Sequence, residues 1–120
     1  MLHHKKGRTL GRTKSQRTAL LRSLARSLVL HEGIVTSISK AKELRPFVER
    51  LVTVSKGNTI ASRRIVDTRL GGNAVKTVKK LHEVIAPRYA TRLGGYTRIA
   101  RLGKIGRAAY ESARIEFVQE

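Results

Sequence analysis

Gly33-Ile34-Val35-Thr36-Ser37-Ile38-Ser39-Lys40-Ala41-Lys42-Glu43-Leu44-Arg45 is the stretch on which the fold turns. Its first half has the period of a short strand: Ile34, Thr36 and Ile38 alternate with Val35 and Ser37. Its second half changes period. Ser39 is a suitable helix N-cap, and beyond it Leu44, Phe47, Val48, Leu51, Val52 and Ser55 recur at helical spacing. Pro46 lies inside that pattern and brings no backbone donor, so a kink or a restart is expected there.

Toward the N-terminus, Gly33 suits a left-handed helix stop. The helix it would end begins near Ser15 and buries Leu20, Leu21, Leu24, Ala25 and Leu28. Arg22 and Arg26, four residues apart, share another face. Residues 1–14 carry Lys5, Lys6, Arg8, Arg12 and Lys14 with almost nothing apolar, and read as a basic extension that cannot fold alone. Fully extended, it would reach on the order of 40 Å from the body.

Toward the C-terminus, Gly57-Asn58-Thr59 breaks the chain, and 60–70 reads as a third helix with Arg63, Arg64 and Arg69. Asp67 is spaced to pair with Arg63. Gly71-Gly72-Asn73 leads to a fourth helix marked by Val75, Val78, Leu81 and Ile85 and closed by Pro87. A turn at Gly94-Gly95 opens a strand over 96–102, 103–107 reads as a hairpin loop, and 113–118 alternates as a last strand. The order is helix, strand, three helices, two strands. Such grouping predicts a single α+β domain over 15–120, its small sheet covered on one face by helices.

Charge narrows the function. Lys and Arg number 26 against 8 acids, a net charge of +18. From Met1 to His31 there are eight basic residues and no acid, and between Glu83 and Glu111 six and none. Self-repulsion of this size is relieved by a polyanion, most commonly nucleic acid. An anionic membrane is the competing partner, but that reading wants bulky apolar anchors, and the chain has no Trp and two Phe.

The phosphate-contacting candidates are His3, His4, Lys5, Lys6, Arg8, Arg12, Lys14 and Arg17 in and beside the extension, with Arg22 and Arg26 along the first helix. Arg88, Arg92, Arg98, Arg101, Lys104 and Arg107 form a second group around the Gly-Gly turn and the hairpin loop. Lys40, Lys42, Arg63 and Arg64 rank behind them, the first two at a helix start where free N–H groups would also meet a phosphate. Arginine suits this work because its planar fork holds a phosphate by two bonds. Tyr89, Tyr96 and Tyr110 could stack on bases, though a strand tyrosine such as Tyr96 more often packs in a core.

RNA is favoured over DNA because folded RNA has crevices that admit an extended tail. The alternative is a sequence-specific DNA-binding protein of helix-turn-helix type, built on the third and fourth helices. Enzyme signals are poor. Gly103-Lys104 lacks the spacing of a phosphate loop, no Ser, His and Asp suggest a triad, and His82 reads as a surface residue. Without cysteine or a helix-spaced histidine pair, neither a metal nor a cofactor is expected. No apolar run is long enough to span a membrane and no signal core follows Met1, so the sequence reads as a mature cytoplasmic protein.

Three blocks carry a family resemblance. The basic start from His3 to Arg12, the strand-to-helix stretch from Ile34 to Arg45, and Pro87-Arg88-Tyr89 followed by Arg92 and Gly94-Gly95-Tyr96-Thr97-Arg98-Ile99 occur in order along the chain. Together they resemble the bacterial-type large-subunit ribosomal protein family L-seventeen. The resemblance implies a two-layer α+β fold with a three-stranded mixed sheet and a basic N-terminal arm. It implies a structural constituent of the large ribosomal subunit that binds 23S-type ribosomal RNA, beside other ribosomal proteins near the peptide exit, in a bacterial or organellar ribosome. No membrane and no small-molecule substrate are implied.

Overall fold

The computed structural model describes residues 13–104, 106 and 110–119. Helix α1 (Lys14–His31) opens on a reciprocal cap: the Thr13 hydroxyl accepts from the Gln16 N–H, and the Gln16 side chain accepts from the Thr13 N–H. The cap is therefore Thr13 and not Ser15, because only Thr13 has a glutamine three residues on. Glu32, not Gly33, adopts the left-handed conformation after α1, with φ 63°. Gly33 belongs instead to strand β1 (Gly33–Ser37) and matters for space: a Cβ there would sit 2.3 Å from the Arg114 guanidinium.

Helix α2 (Ile38–Ser55) begins two residues earlier than expected, capped by the Ser37 hydroxyl and not by Ser39. It runs through Pro46 without the anticipated restart. Pro46 lies on the exposed side of α2. The intrahelical bond its missing N–H forfeits therefore falls where water can substitute. Helix α3 (Ile60–Arg69) is capped by Thr59, and Asp67 accepts from the Ala74 N–H at 2.8 Å instead of pairing with Arg63. Helix α4 (Val75–Lys80) widens into a π turn (Leu81–Ile85) and continues as α5 (Ala86–Arg88). Pro87 does not close this rod. A widened turn just before a proline relieves the clash its ring would make with the carbonyl four residues back.

Strands β2 (Thr97–Gly103) and β3 (Ser112–Phe117) complete a three-stranded sheet of order β1-β3-β2. Both pairings are antiparallel, so the sheet is not mixed as the resemblance implied. The hairpin sets β2 beside β3, β1 takes the other edge of β3, and the two strands that run in the same direction never touch. Ile34, Ile115 and Ile99 align across the sheet on the face that meets the helices. Ala113, Ile115 and Phe117 of β3 are buried there against Leu28 and Val29 of α1 and Leu44, Val48, Leu51 and Val52 of α2. The opposite face, with Val35, Arg98, Ala100 and Arg114, is exposed.

Three of the five Phe and Tyr residues gather in one corner of this core. Tyr89 and Tyr96 stack at 5.2 Å between ring centroids, and Phe117 lies 6.5 Å from Tyr89. Both tyrosines are buried, so neither can stack on a base, while Tyr110 is exposed. Each buried hydroxyl has a partner: Tyr89 donates to the Val118 carbonyl, and Tyr96 meets the Thr53 hydroxyl at 3.2 Å. His82 is likewise buried and not a surface residue, its Nδ1–H donating to the Val78 carbonyl and its Nε2 facing the Ser62 hydroxyl at 3.0 Å.

Candidate RNA interface

The basic residues divide into two sets. The first is bonded to other parts of the protein, although Arg98, Arg101 and Arg114 of this set remain exposed. Arg26 donates from Nε and Nη2 to the Leu70 carbonyl and from Nη2 to the Gly72 carbonyl at 2.6 Å, and Arg22 donates to the Arg69 carbonyl at 3.2 Å. These carbonyls lie at the C-terminal end of α3, where they lack helical donors and carry the negative end of the dipole. The left-handed run Gly71-Gly72-Asn73 turns them toward α1. Gly71 is needed twice over: its φ is 94°, and a Cβ would crowd the Arg22 Cδ at 3.3 Å.

Glu32 closes the other end of α1. It takes Arg88 Nη1 at 2.6 Å and Lys80 Nζ at 3.2 Å, and Lys80 also donates to the Leu30 carbonyl. The Arg88 bond, then those of Lys80, hold the Glu32 carboxyl below the usual range against the opposing effect of burial. On the open sheet face Arg98 and Arg114 share Glu116, at 2.8 and 3.2 Å, and they lower its pKa, Arg98 most. Arg101 lies 3.7 Å from Glu111, and Arg92 donates to the Gly94 carbonyl at 3.2 Å. Arg17 is half-buried and not free.

Glu49 of α2 holds the Gly-Gly turn. Its oxygens accept from the Gly95 and Thr97 N–H groups, from the Thr97 hydroxyl at 2.9 Å and from Arg45 at 3.5 Å. Lys56 donates to the Arg92 carbonyl and sits 4.7 Å above the Tyr96 ring.

The second set faces solvent. Lys14, Lys42, Arg50, Arg64, Arg69, Lys76, Lys79 and Lys104 are exposed, and their side chains have no hydrogen-bond or ion-pair partner among the described residues. Lys40 is half-buried and equally unpartnered, while Arg63 donates to the Asn58 side chain at 3.2 Å. Four of the sequence candidates, Lys14, Lys42, Arg64 and Lys104, are thus exposed and unengaged. Arg22, Arg26, Arg88, Arg92, Arg98 and Arg101 are engaged within the protein. His3, His4, Lys5, Lys6, Arg8, Arg12 and Arg107 lie outside the described residues.

Sequence reasoning passed over Arg50, Lys76 and Lys79 and gave Arg69 no contact. The signal was present for Arg50: it falls off the apolar stripe of α2, and no acid stands four residues before or after it. The start of α2 is less open to phosphate than its position suggested. The Ile38 N–H is taken by the Glu111 carbonyl and the Lys40 N–H by Ser37.

This is a small, strongly basic α+β scaffold in which acids and helix-end carbonyls engage one set of cations and another faces outward. Residues 20–118 match the family model described as ribosomal protein L17. The chain is 48% identical to the large ribosomal subunit protein bL17 of Sphingopyxis alaskensis, over 98% of this chain and 84% of the relative. It is 46% identical to bL17 of Thermomicrobium roseum, over 98% of this chain and 99% of the relative, and 44% identical to bL17 of Zymomonas mobilis, over 98% and 83%. The chain belongs to the ribosomal protein L17 family, a family of structural constituents of the large ribosomal subunit and not of enzymes. No group of three or more His, Cys, Asp and Glu among the described residues could hold a metal ion. No described helix is long and apolar enough to cross a membrane.

Proposed function

We propose that this chain binds large-subunit ribosomal RNA through its outward-facing cations and through the basic segment 1–12, acting as an arm on a body that begins at the Thr13 cap. The observation that carries the reading is the division of the basic residues. Acids and helix-end carbonyls engage the first set, whereas the cations left on α2, α3 and α4 have no hydrogen-bond or ion-pair partner among the described residues. A neutral partner would leave that charge uncompensated, whereas RNA phosphates neutralise it and release counterions. Neighbouring large-subunit proteins are the expected second class of partner.

The helix-turn-helix alternative is disfavoured by the α3–α4 connection, which Arg22 and Arg26 of α1 hold from the side. Sucrose-gradient fractionation of a lysate with tagged protein at native level tests the reading. Cosedimentation with large subunits that persists into moderately high salt is expected. A pool at the top of the gradient, or one released only by DNase, would overturn it. Removing residues 1–12 should weaken RNA binding while circular dichroism retains the helical content.

A further inference from the structure

One groove is not explained by packing. It runs along the exposed side of α2, between Pro46, Arg50, Thr53 and Val54 on one wall and Leu93 and Gly94 on the other, with Arg69 at its end. Its volume is about 430 Å³, in the range of small-ligand clefts. Leu93 is 100% exposed beside it, although the neighbouring Gly-Gly turn is held in place by Glu49. A fully exposed leucine on a tethered turn contributes nothing to this protein's core.

Polar recognition inside the groove is largely closed off. Glu49 already accepts four hydrogen bonds, and the Thr53 hydroxyl is engaged by the Glu49 carbonyl and the Tyr96 hydroxyl. What remains is an apolar slot of Pro46, Val54 and Leu93 with the unpartnered guanidinium groups of Arg50 and Arg69 at its rim. Apolar walls with a cationic rim complement a flat, hydrophobic body attached to an anion.

We propose that the groove receives a single unpaired nucleobase of the ribosomal RNA, its faces covered by Leu93, Val54 and Pro46 and its phosphates held by Arg50 and Arg69. This rests on the RNA-binding reading above. Bases splayed from loops and bulges are the RNA parts that protein surfaces capture by face contact. Because the unengaged side-chain donors of the groove, Arg50 and Arg69, are taken by phosphates, it selects an unpaired conformation and not a base identity. The charged rim disfavours an apolar protein segment as the occupant, since Arg50 and Arg69 would then be covered without an anion.

The chain has no cysteine, so Leu93→Cys supplies one attachment point for a benzophenone photocrosslinker. The labelled full-length protein is bound to large-subunit ribosomal RNA, irradiated, and the adducts mapped by reverse-transcription stops. Adducts concentrated on one or two nucleotides that are unpaired in the free RNA are expected. Unlabelled Leu93→Ala, harmless to the fold at so exposed a site, should bind the same RNA about fivefold more weakly with an unchanged salt slope. Arg50→Gln should lower that slope by about one. Crosslinks to paired nucleotides, or no RNA crosslink from bound protein, would overturn the groove proposal alone. Failure of the unmodified chain to bind the RNA would overturn the RNA reading and the groove with it.

Discussion

Helices α1 and α3 carry arginine pairs that look alike in sequence and are used in opposite ways. Arg22 and Arg26 on α1 face the end of α3 and are bonded to its last carbonyls. Arg64 and Arg69 on α3 face solvent with no partner among the described residues. The difference lies in what stands opposite. A helix C-terminus offers carbonyls that no helical N–H can reach, and a guanidinium within range is drawn to them before any external phosphate is available. A positive charge in a sequence is therefore not yet a binding residue. Its assignment depends on whether the fold brings an orphan acceptor to it.

The sharpest way to break this comparison is to exchange the roles. Arg26→Ala leaves the Leu70 and Gly72 carbonyls without their donor and should lower stability by about 2–3 kcal/mol in urea denaturation of the free protein. Arg26→Lys should recover only part, because a single ammonium cannot reproduce the fork. A free-energy loss below about 0.5 kcal/mol would mean that Arg26 does not hold the end of α3. The matching substitution on α3, Arg64→Gln with Arg69→Gln, should leave stability within about 0.5 kcal/mol and lower the salt slope of RNA binding by about two. An unchanged slope would remove both from the interface.

Acid titration sharpens the same division. The Glu32 carboxyl is depressed in the folded chain by Arg88 and Lys80, so its contribution is present above the ordinary carboxylate pKa. It is lost as pH falls through the lower folded value. Glu32→Gln should cost about 1 kcal/mol or less at neutral pH and flatten the acid side of the stability curve, and 1 M salt should shrink the difference. An unaltered pH profile would mean the pair adds nothing. A small effect, about 1 kcal/mol or less, is expected at Gly33→Ala: the guanidinium of Arg114 that its Cβ would meet can move aside, although Glu116 Cβ at 3.3 Å limits the space.

The strand-to-helix stretch at 33–45 was legible because two periods meet there within a few residues and the apolar set of α2 admits one buried face. Element order, sheet size and the burial of Tyr96 followed from similar local patterns. What was not legible depends on distant partners. The stop at Glu32 depends on Lys80 and Arg88, the role of Gly33 on Arg114, and the burial of His82 on Ser62. The internal partners of Arg22 and Arg26 were hidden for the same reason in electrostatic form: the charge run is local, but the carbonyls facing Arg26 lie 44 residues away or more. Pro46 and Pro87 were read as breaks because their cost is local, while the solvent exposure and widened turn that absorb it are not.

The strand order has a temporal consequence. β3 lies at the centre of the sheet yet is the last of the three strands in the chain, so β1 and β2 have no partner while they emerge during synthesis. The helical layer can collapse early, but the sheet closes only when 112–117 arrives to join both edges in one event. Until then the nascent protein is a basic helical cluster with two bare strands.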